Sequence, residues 1–291
     1  MKFDPTNVND VELLVDTIDA QYEDASVEIF SDGHRDHLGA SLIGDSCSRK
    51  LWYLFRWVKK PDFSSEKRTQ GQVLRLFNRG HREEPSIIKI LEKAGHRFEP
   101  VPEGQDQHRI TLSCNGHFGG SMDNIGYLPE IFEFDERVLY EFKTSAVTQF
   151  RRLKKEGVKK DKPVHWTQMC VYGRDKGIKY ALYICVNKDN DEIHFEFLKL
   201  NWELGKDMED KAGMIINSDI APPKISMSAS HFVCKWCDFK NICHYEDEVA
   251  VNCRSCKHSK PVENSQWKCT IADQVIPADV VKLGCELHEG V

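Results

Sequence analysis

The stretch Arg137-Val138-Leu139-Tyr140-Glu141-Phe142-Lys143 decides the fold. It reads as a strand, rich in apolar and aromatic residues. Alternation along a strand sends Glu141 and Lys143 to the same face. Upstream, Asp123 lies in a second strand-like segment that runs from Phe118 through Met122 to Tyr127. Two carboxylates and an ammonium therefore converge where two strands meet. Oxygen ligands of this kind suit hard divalent cations such as magnesium. A metal held there generates a nucleophilic hydroxide and stabilises charge on a phosphoryl oxygen. A neighbouring lysine orients the attacking water or stabilises the same charge.

Working outward, strand signals recur at 97–101, 109–113, 117–128 and 137–144. A helical lead-in is expected over 1–30. A polar turn ending at Cys47 opens into an aromatic-rich helix, and 60–70 is a polar connector. The apolar spacing of Val73, Leu74, Phe77, Ile87, Ile88 and Leu91 predicts a long helix over 71–94, interrupted at Gly80-His81 and ended by Gly95. A helix follows over 163–172. A buried strand over 179–187 and a hairpin partner from Ile193 come next, then a helix over 202–217. Strands alternating with helices in this way read as an α/β fold. Beyond residue 249 the chain becomes cysteine-rich and short of large aliphatics, so the expected domains are 1–249 and 250–291.

Of the 291 residues, 40% are hydrophobic and 30% charged, which suits a globular chain and excludes a disordered one. No apolar run approaches the roughly 20 residues of a membrane span, and no signal-peptide pattern follows Met1. The expectation is a cytoplasmic protein. The net charge of -6 argues against a general polyanion binder. Positive charge is nevertheless concentrated after the Glu-Phe-Lys strand, at Arg151, Arg152, Lys154 and Lys155 and on to Lys162. Such a stripe is either a solvated helix face or an attractor for a phosphate backbone.

Eleven cysteines in a cytoplasmic chain point to metal ligation rather than disulfides. Cys253-x-x-Cys256 followed by Cys269 and Cys285 is a tetrathiolate pattern for structural zinc, with His258 and His288 as alternative ligands. So small a segment lacks an apolar core, and metal would supply its folding energy. Cys234-x-x-Cys237 with Cys243 forms a second group, and Cys47 stands far upstream. One reading gives the trio zinc with His244 and leaves Cys47 a buried thiol. Cys114, Cys170 and Cys185 read as ordinary thiols.

Taken in order, Gly80-His81, Asp123, Glu141-x-Lys143 and Gln168-x-x-x-Tyr172 resemble the PD-(D/E)XK nuclease superfamily. Within it they are similar to RecB-type domains, to AddB and to the iron–sulfur nucleases of CRISPR adaptation. The resemblance spans about residues 41–245. Met122 stands where the motif often has proline. The resemblance implies a nuclease core with a mixed central sheet flanked by helices. It implies magnesium or manganese held by His81, Asp123, Glu141 and the backbone carbonyl of Phe142, with Glu84 behind His81. Lys143 would activate water, and Gln168 and Tyr172 would position the lysine or the strand.

The same resemblance makes Cys47, Cys234, Cys237 and Cys243 the ligands of a 4Fe–4S staple. It implies a DNA exonuclease of recombination, repair or phage DNA metabolism, acting on single strands or duplex ends in the bacterial cytoplasm. A helicase or a single-strand annealing or binding protein would be its partner, since the chain carries no helicase P-loop. The basic stripe at Arg151, Arg152, Lys154 and Lys155 would meet the DNA. Trp52, Tyr53, Trp57 and Trp166 are candidates to stack on bases. The alternatives are a non-cleaving binding module on a nuclease fold and a structure-specific endonuclease. Each residue also has an ordinary structural use: Glu141 and Lys143 as a same-face ion pair, Gln168 and Tyr172 as a helix-surface contact.

Overall fold

The computed structural model describes residues 34–60, 69–110 and 113–291, with isolated positions between 9 and 20. The expected lead-in and the connector at 60–70 fall largely outside the described residues, although the described positions between 9 and 20 are helical. The chain forms two compact units. One comprises Met1–His34 and Lys60–Ile90, the other Arg35–Lys59 and Leu91–Val291. The cysteine-rich segment 250–291 belongs to the second unit.

Helix α1 spans Ser48–Phe55, and its N-cap is Cys47. Helix α2 spans Gln70–Lys93. Thr69 and Gln72 start it with a reciprocal pair of bonds. The Gln72 N–H donates to Thr69 Oγ1 at 3.2 Å and the Thr69 N–H to Gln72 Oε1 at 3.3 Å. The expected interruption at Gly80-His81 does not occur, and the helix also runs through Pro85. A single glycine costs about 1 kcal/mol of helix propensity, too little to break a helix of 24 residues. Its end is as expected. Gly95 has φ of +95°, and the N–H groups of Gly95 and His96 bond back to Glu92 O and Leu91 O, each at 3.0 Å.

The second unit is built on a five-stranded mixed sheet. Strands β1 (Arg97–Phe98), β2 (Asn124–Tyr127), β3 (Val138–Ser145), β4 (Tyr180–Asn187) and β5 (Ile193–Lys199) lie in that order across it. Neighbours are antiparallel except β3 and β4, which are parallel in the register Glu141 to Tyr183. The parallel pair needs a crossover, supplied by α3 (Val147–Glu156), a short turn of helix and α4 (Pro163–Lys176). Lying between β3 and β5, β4 is buried almost throughout, as its unbroken apolar sequence requires. As the edge strand, β5 alternates, leaving Ile193, Phe195 and Phe197 exposed. Helix α5 (Trp202–Ile216) packs on α4. Residues 167–173 of α4 are accordingly buried as a continuous run.

The single strand expected over 117–128 is divided. Phe118–Gly119 pairs with Leu38–Gly39, Ser121–Met122 pairs with His108–Arg109, and only β2 joins the main sheet. Each partner is distant in sequence, so local alternation carried no trace of the breaks. Helix α6 (Lys240–Tyr245) and a three-stranded meander complete the unit. The meander runs β6 (Ser259–Pro261), β7 (Trp267–Cys269), β8 (Gln274–Ile276). No helix among the described residues is long and apolar enough to cross a membrane.

Candidate active site

Glu141 and Lys143 lie on one face of β3, and Asp123 sits just before β2, beside them. The neighbouring backbone fixes Asp123: the Phe142 N–H donates to its Oδ2 at 2.7 Å. The Lys143 ammonium reaches three oxygens. It pairs with Glu141 Oε1, donates to Phe142 O at 2.9 Å and stands 3.5 Å from Asp123 Oδ2. Glu141 is fully buried, while Lys143 keeps 28% of its side chain exposed. The cluster is therefore open on the lysine side.

Helix α4 closes the other side. Gln168 Nε2 lies 3.2 Å and 3.5 Å from the two oxygens of Glu141 and donates to them. Its amide also lies 3.3 Å from the hydroxyl of Tyr172, one turn on. Gly120 gives that hydroxyl its room, since a Cβ there would lie 2.7 Å from it. Asp123, Glu141, Lys143, Gln168 and Tyr172 are thus brought together on β3, α4 and the segment before β2. His81 and Glu84 lie one turn apart on α2, within the first unit.

Electrostatics fix the protonation states of the donors. Burial works against the charge on Lys143. The Asp123 and Glu141 carboxylates outweigh that cost and hold its pKa well above the usual lysine range. Burial raises the Tyr172 phenol, and the same two carboxylates reinforce the shift. Both groups are donors at neutral pH.

Two further residues belong to this neighbourhood, and sequence reasoning missed both. His165, three residues before Gln168 on α4, has Nδ1 at 2.9 Å from the hydroxyl of Tyr183, the residue opposite Glu141 on β4. Burial, then the charges of Lys143 and Lys162, push His165 down to about 4, so it is neutral at pH 7. The signal for His165 was its i−3 spacing from Gln168. That for Tyr183 required the β3–β4 register.

Three of the four basic residues proposed for DNA contact are ion-paired. Arg152 pairs with Asp161 and Lys154 with Glu192, and Lys155 lies 3.8 Å from Glu156. The candidate stacking aromatics Trp52, Tyr53 and Trp57 are buried in the core, and Trp166 is partly buried against it. Among the exposed aromatics, Phe232, Trp236 and Tyr245 stand out, at 78%, 73% and 61% exposure. Each follows or precedes a residue lining one cavity (Val233, Cys237 and His244), and Lys224 and Lys240 line it too.

That cavity is also lined by Cys47, Cys234, Cys237 and Cys243. Burial raises the pKa of Cys234, and Cys47 and Cys243 add to the shift. In the tail, burial raises Cys253, and Cys285, Cys256 and Cys269 act in the same direction. A cation beside Cys234 or Cys253 would offset that cost. Among the described residues, however, no group of three or more His, Cys, Asp or Glu is assembled tightly enough to hold a metal ion. That holds for both cysteine quartets. Cys170 and Cys185 are buried thiols in α4 and β4.

No family model matches the chain, and no curated protein matches it. Among solved structures it is similar to an alkaline exonuclease (LHK-Exo) from Laribacter hongkongensis, with 15% identity and a TM-score of 0.43. That likeness covers 62% of this chain and 87% of the other. LHK-Exo in complex with dAMP is similar at 14% identity, over 62% and 86% of the two chains, with a TM-score of 0.41. The chemistry of the site rests on its own geometry.

Proposed function

We propose that the chain is a metal-dependent DNA exonuclease of the PD-(D/E)XK type, hydrolysing phosphodiester bonds at Asp123, Glu141 and Lys143. The observation that carries this reading is the Lys143 ammonium among three oxygens, those of Asp123, Glu141 and Phe142. A point that already collects two carboxylates and a carbonyl around one positive charge has the donor set of a hard divalent cation.

Asp123, Glu141 and the Phe142 carbonyl would hold magnesium or manganese. Such an ion supplies an activated water and charge neutralisation at phosphorus. Lys143, kept protonated by its carboxylate neighbours, donates to a phosphoryl oxygen or orients water and does not act as the base. Gln168 holds the carboxylate of Glu141 in place. Tyr172 steadies Gln168 and stays a neutral donor.

The cysteine quartets are assigned by the same reading. Cys47, Cys234, Cys237 and Cys243 would carry an iron–sulfur cluster, and Cys253, Cys256, Cys269 and Cys285 zinc. Their shared environments support this, and the all-sulfur donor sets suit both groups. Phe232, Trp236 and Tyr245, interleaved with Lys224, Lys235 and Lys240, have the make-up of a surface that stacks bases and neutralises phosphates. They favour single-stranded DNA as the substrate. Arg151 and the partly paired Arg152, Lys154 and Lys155 would add long-range attraction. A helicase or single-strand binding protein would supply the strand.

The test is digestion of end-labelled linear and circular single-stranded DNA with Mg2+ or Mn2+. Wild type should shorten the linear substrate and spare the circle. Lys143→Ala should leave both substrates intact. Equal cutting by both proteins, or by neither, overturns the mechanism, and cutting of the circle makes the enzyme an endonuclease.

A further inference from the structure

The cysteine-rich tail binds to the fold through a continuous seam. Ala250 N–H donates to Val58 O at 2.8 Å, and Asn252 Nδ2 to Trp57 O at 3.0 Å. Arg56, just past α1, donates to Ser259 O at 2.7 Å and Arg254 O at 3.3 Å. Arg254 is buried and donates to the carbonyls of Arg35 and Asp36, each at 3.2 Å. Its guanidinium lies 4.1 Å from the ring centre of Trp57, 4.7 Å from Phe55 and 4.8 Å from Trp267. Aromatic faces take the place of carboxylates as partners for this buried cation.

The far side of the seam grips the chain that leads to Asp123. Buried His117 has Nε2 at 2.8 Å from Val262 O and 3.1 Å from Gln266 O, so this nitrogen carries the proton. Its ring meets Trp267 edge to face at 5.7 Å. Ser265 N–H donates to Asn115 O at 2.9 Å, and Ser265 Oγ to Gly116 O at 2.6 Å. From His117 the chain runs extended. Phe118–Gly119 pairs with Leu38–Gly39, Gly120 lies against Tyr172, and Asp123 accepts the Phe142 N–H. The tail therefore fixes one end of a short, taut segment whose other end is a carboxylate of the site.

We infer that the tail is a brace for the active site, in which His117 and Trp267 are positioning residues for Asp123. This rests on the reading of Asp123 as a metal ligand. The seven residues from His117 to Asp123 are held at His117, by the pairing of Phe118–Gly119 and Ser121–Met122, and at Asp123, and have little freedom to lose. Releasing the first point lets the carboxylate wander from the geometry that Glu141 and Phe142 O share.

The test compares His117→Leu, which removes the donor to the Val262 and Gln266 carbonyls, with His117→Gln, which keeps a donor, in the full chain. Two readouts are taken. One is amide hydrogen exchange over 118–123, with β4 as the internal reference, and the other is Mn2+ titration followed by electron paramagnetic resonance. His117→Leu should raise exchange over 118–123 and weaken Mn2+ binding by about tenfold each, the scale of one lost hydrogen bond. Exchange in β4 should be unchanged, and His117→Gln should recover both readouts. Should His117→Leu fail to fold, Ser265→Ala removes one bond of the same seam, that to Gly116 O, and should show the same pattern at smaller size. Faster exchange in 259–269 with none over 118–123 overturns the brace. Wild type that binds no Mn2+ overturns the metal reading instead, and the exchange result still decides the brace.

Discussion

Gln168 on α4 donates to both oxygens of Glu141 on β3, at 3.2 Å and 3.5 Å. A fully buried carboxylate is thereby shared between a lysine and an amide. The amide is neutral, so it fixes direction without adding charge. Gln168→Leu removes that donor and should destabilise the fold by about 1–3 kcal/mol, the cost of an unsatisfied buried acceptor. Cleavage should fall at least tenfold, mostly in kcat, and Gln168→Asn should not recover it, being one methylene too short. Denaturant unfolding and single-turnover kinetics check the two halves.

Lys143→Met leaves Asp123 and Glu141 facing each other without a counter-charge. Breaking a fully buried pair costs about 3–5 kcal/mol. Lys143 keeps 28% exposure, so solvent screening brings the expected loss nearer 2 kcal/mol. Cleavage should vanish. Mn2+ should raise the Tm of Lys143→Met more than that of wild type, since the ion replaces the missing charge. Thermal scans with and without Mn2+ measure this, and an equal rise in both proteins contradicts the cation site.

The pH dependence of stability should carry the mark of His165. Folding lowers its pKa from 6.5 to about 4, burial being the main cause. The native state thus resists protonation there. The contribution of His165 is complete above about pH 6.5 and declines as pH falls toward about 4. Unfolding free energies measured across that window should drop in wild type. They should drop less in His165→Gln, which cannot titrate.

The iron–sulfur cluster proposed for Cys47, Cys234, Cys237 and Cys243, which line one cavity, predicts a brown protein after anaerobic purification, absorbing at about 400 nm where thiolate-to-iron charge transfer falls. Cys47→Ala should bleach it. Stoichiometric zinc without iron at that site sinks the cluster assignment.

Trp236, exposed with Lys235 4.9 Å from its ring centre, should be quenched when single-stranded DNA binds. Trp236→Ala should weaken binding by about 1–3 kcal/mol, the usual worth of one stacked base. Anisotropy titrations with Lys143→Ala as the background avoid digestion.

Strand alternation made Glu141 and Lys143 legible as neighbours, and helical spacing did the same for Gln168 and Tyr172. Both are local rules, and α4, β4 and β5 follow from equally local patterns. What escaped depends on partners distant in the chain. Tyr183 meets His165 only through the β3–β4 register. The segment 118–127 is cut into three because its partners come from three places. Trp52 and Trp57 read as base-stacking candidates and Trp236 did not, because only packing decides which tryptophans reach solvent. Gly80 looked like a helix break because one residue was weighed without the two dozen around it.

Helix α1 is only eight residues long, yet Cys47 stands at its start in one cysteine cluster and Arg56 at its end in the carbonyls of the other. A rod that short has no joint. Damage at either cluster becomes a movement of the whole rod, so oxidation of one set of thiols should loosen the other. Heat should melt the two together in one calorimetric transition.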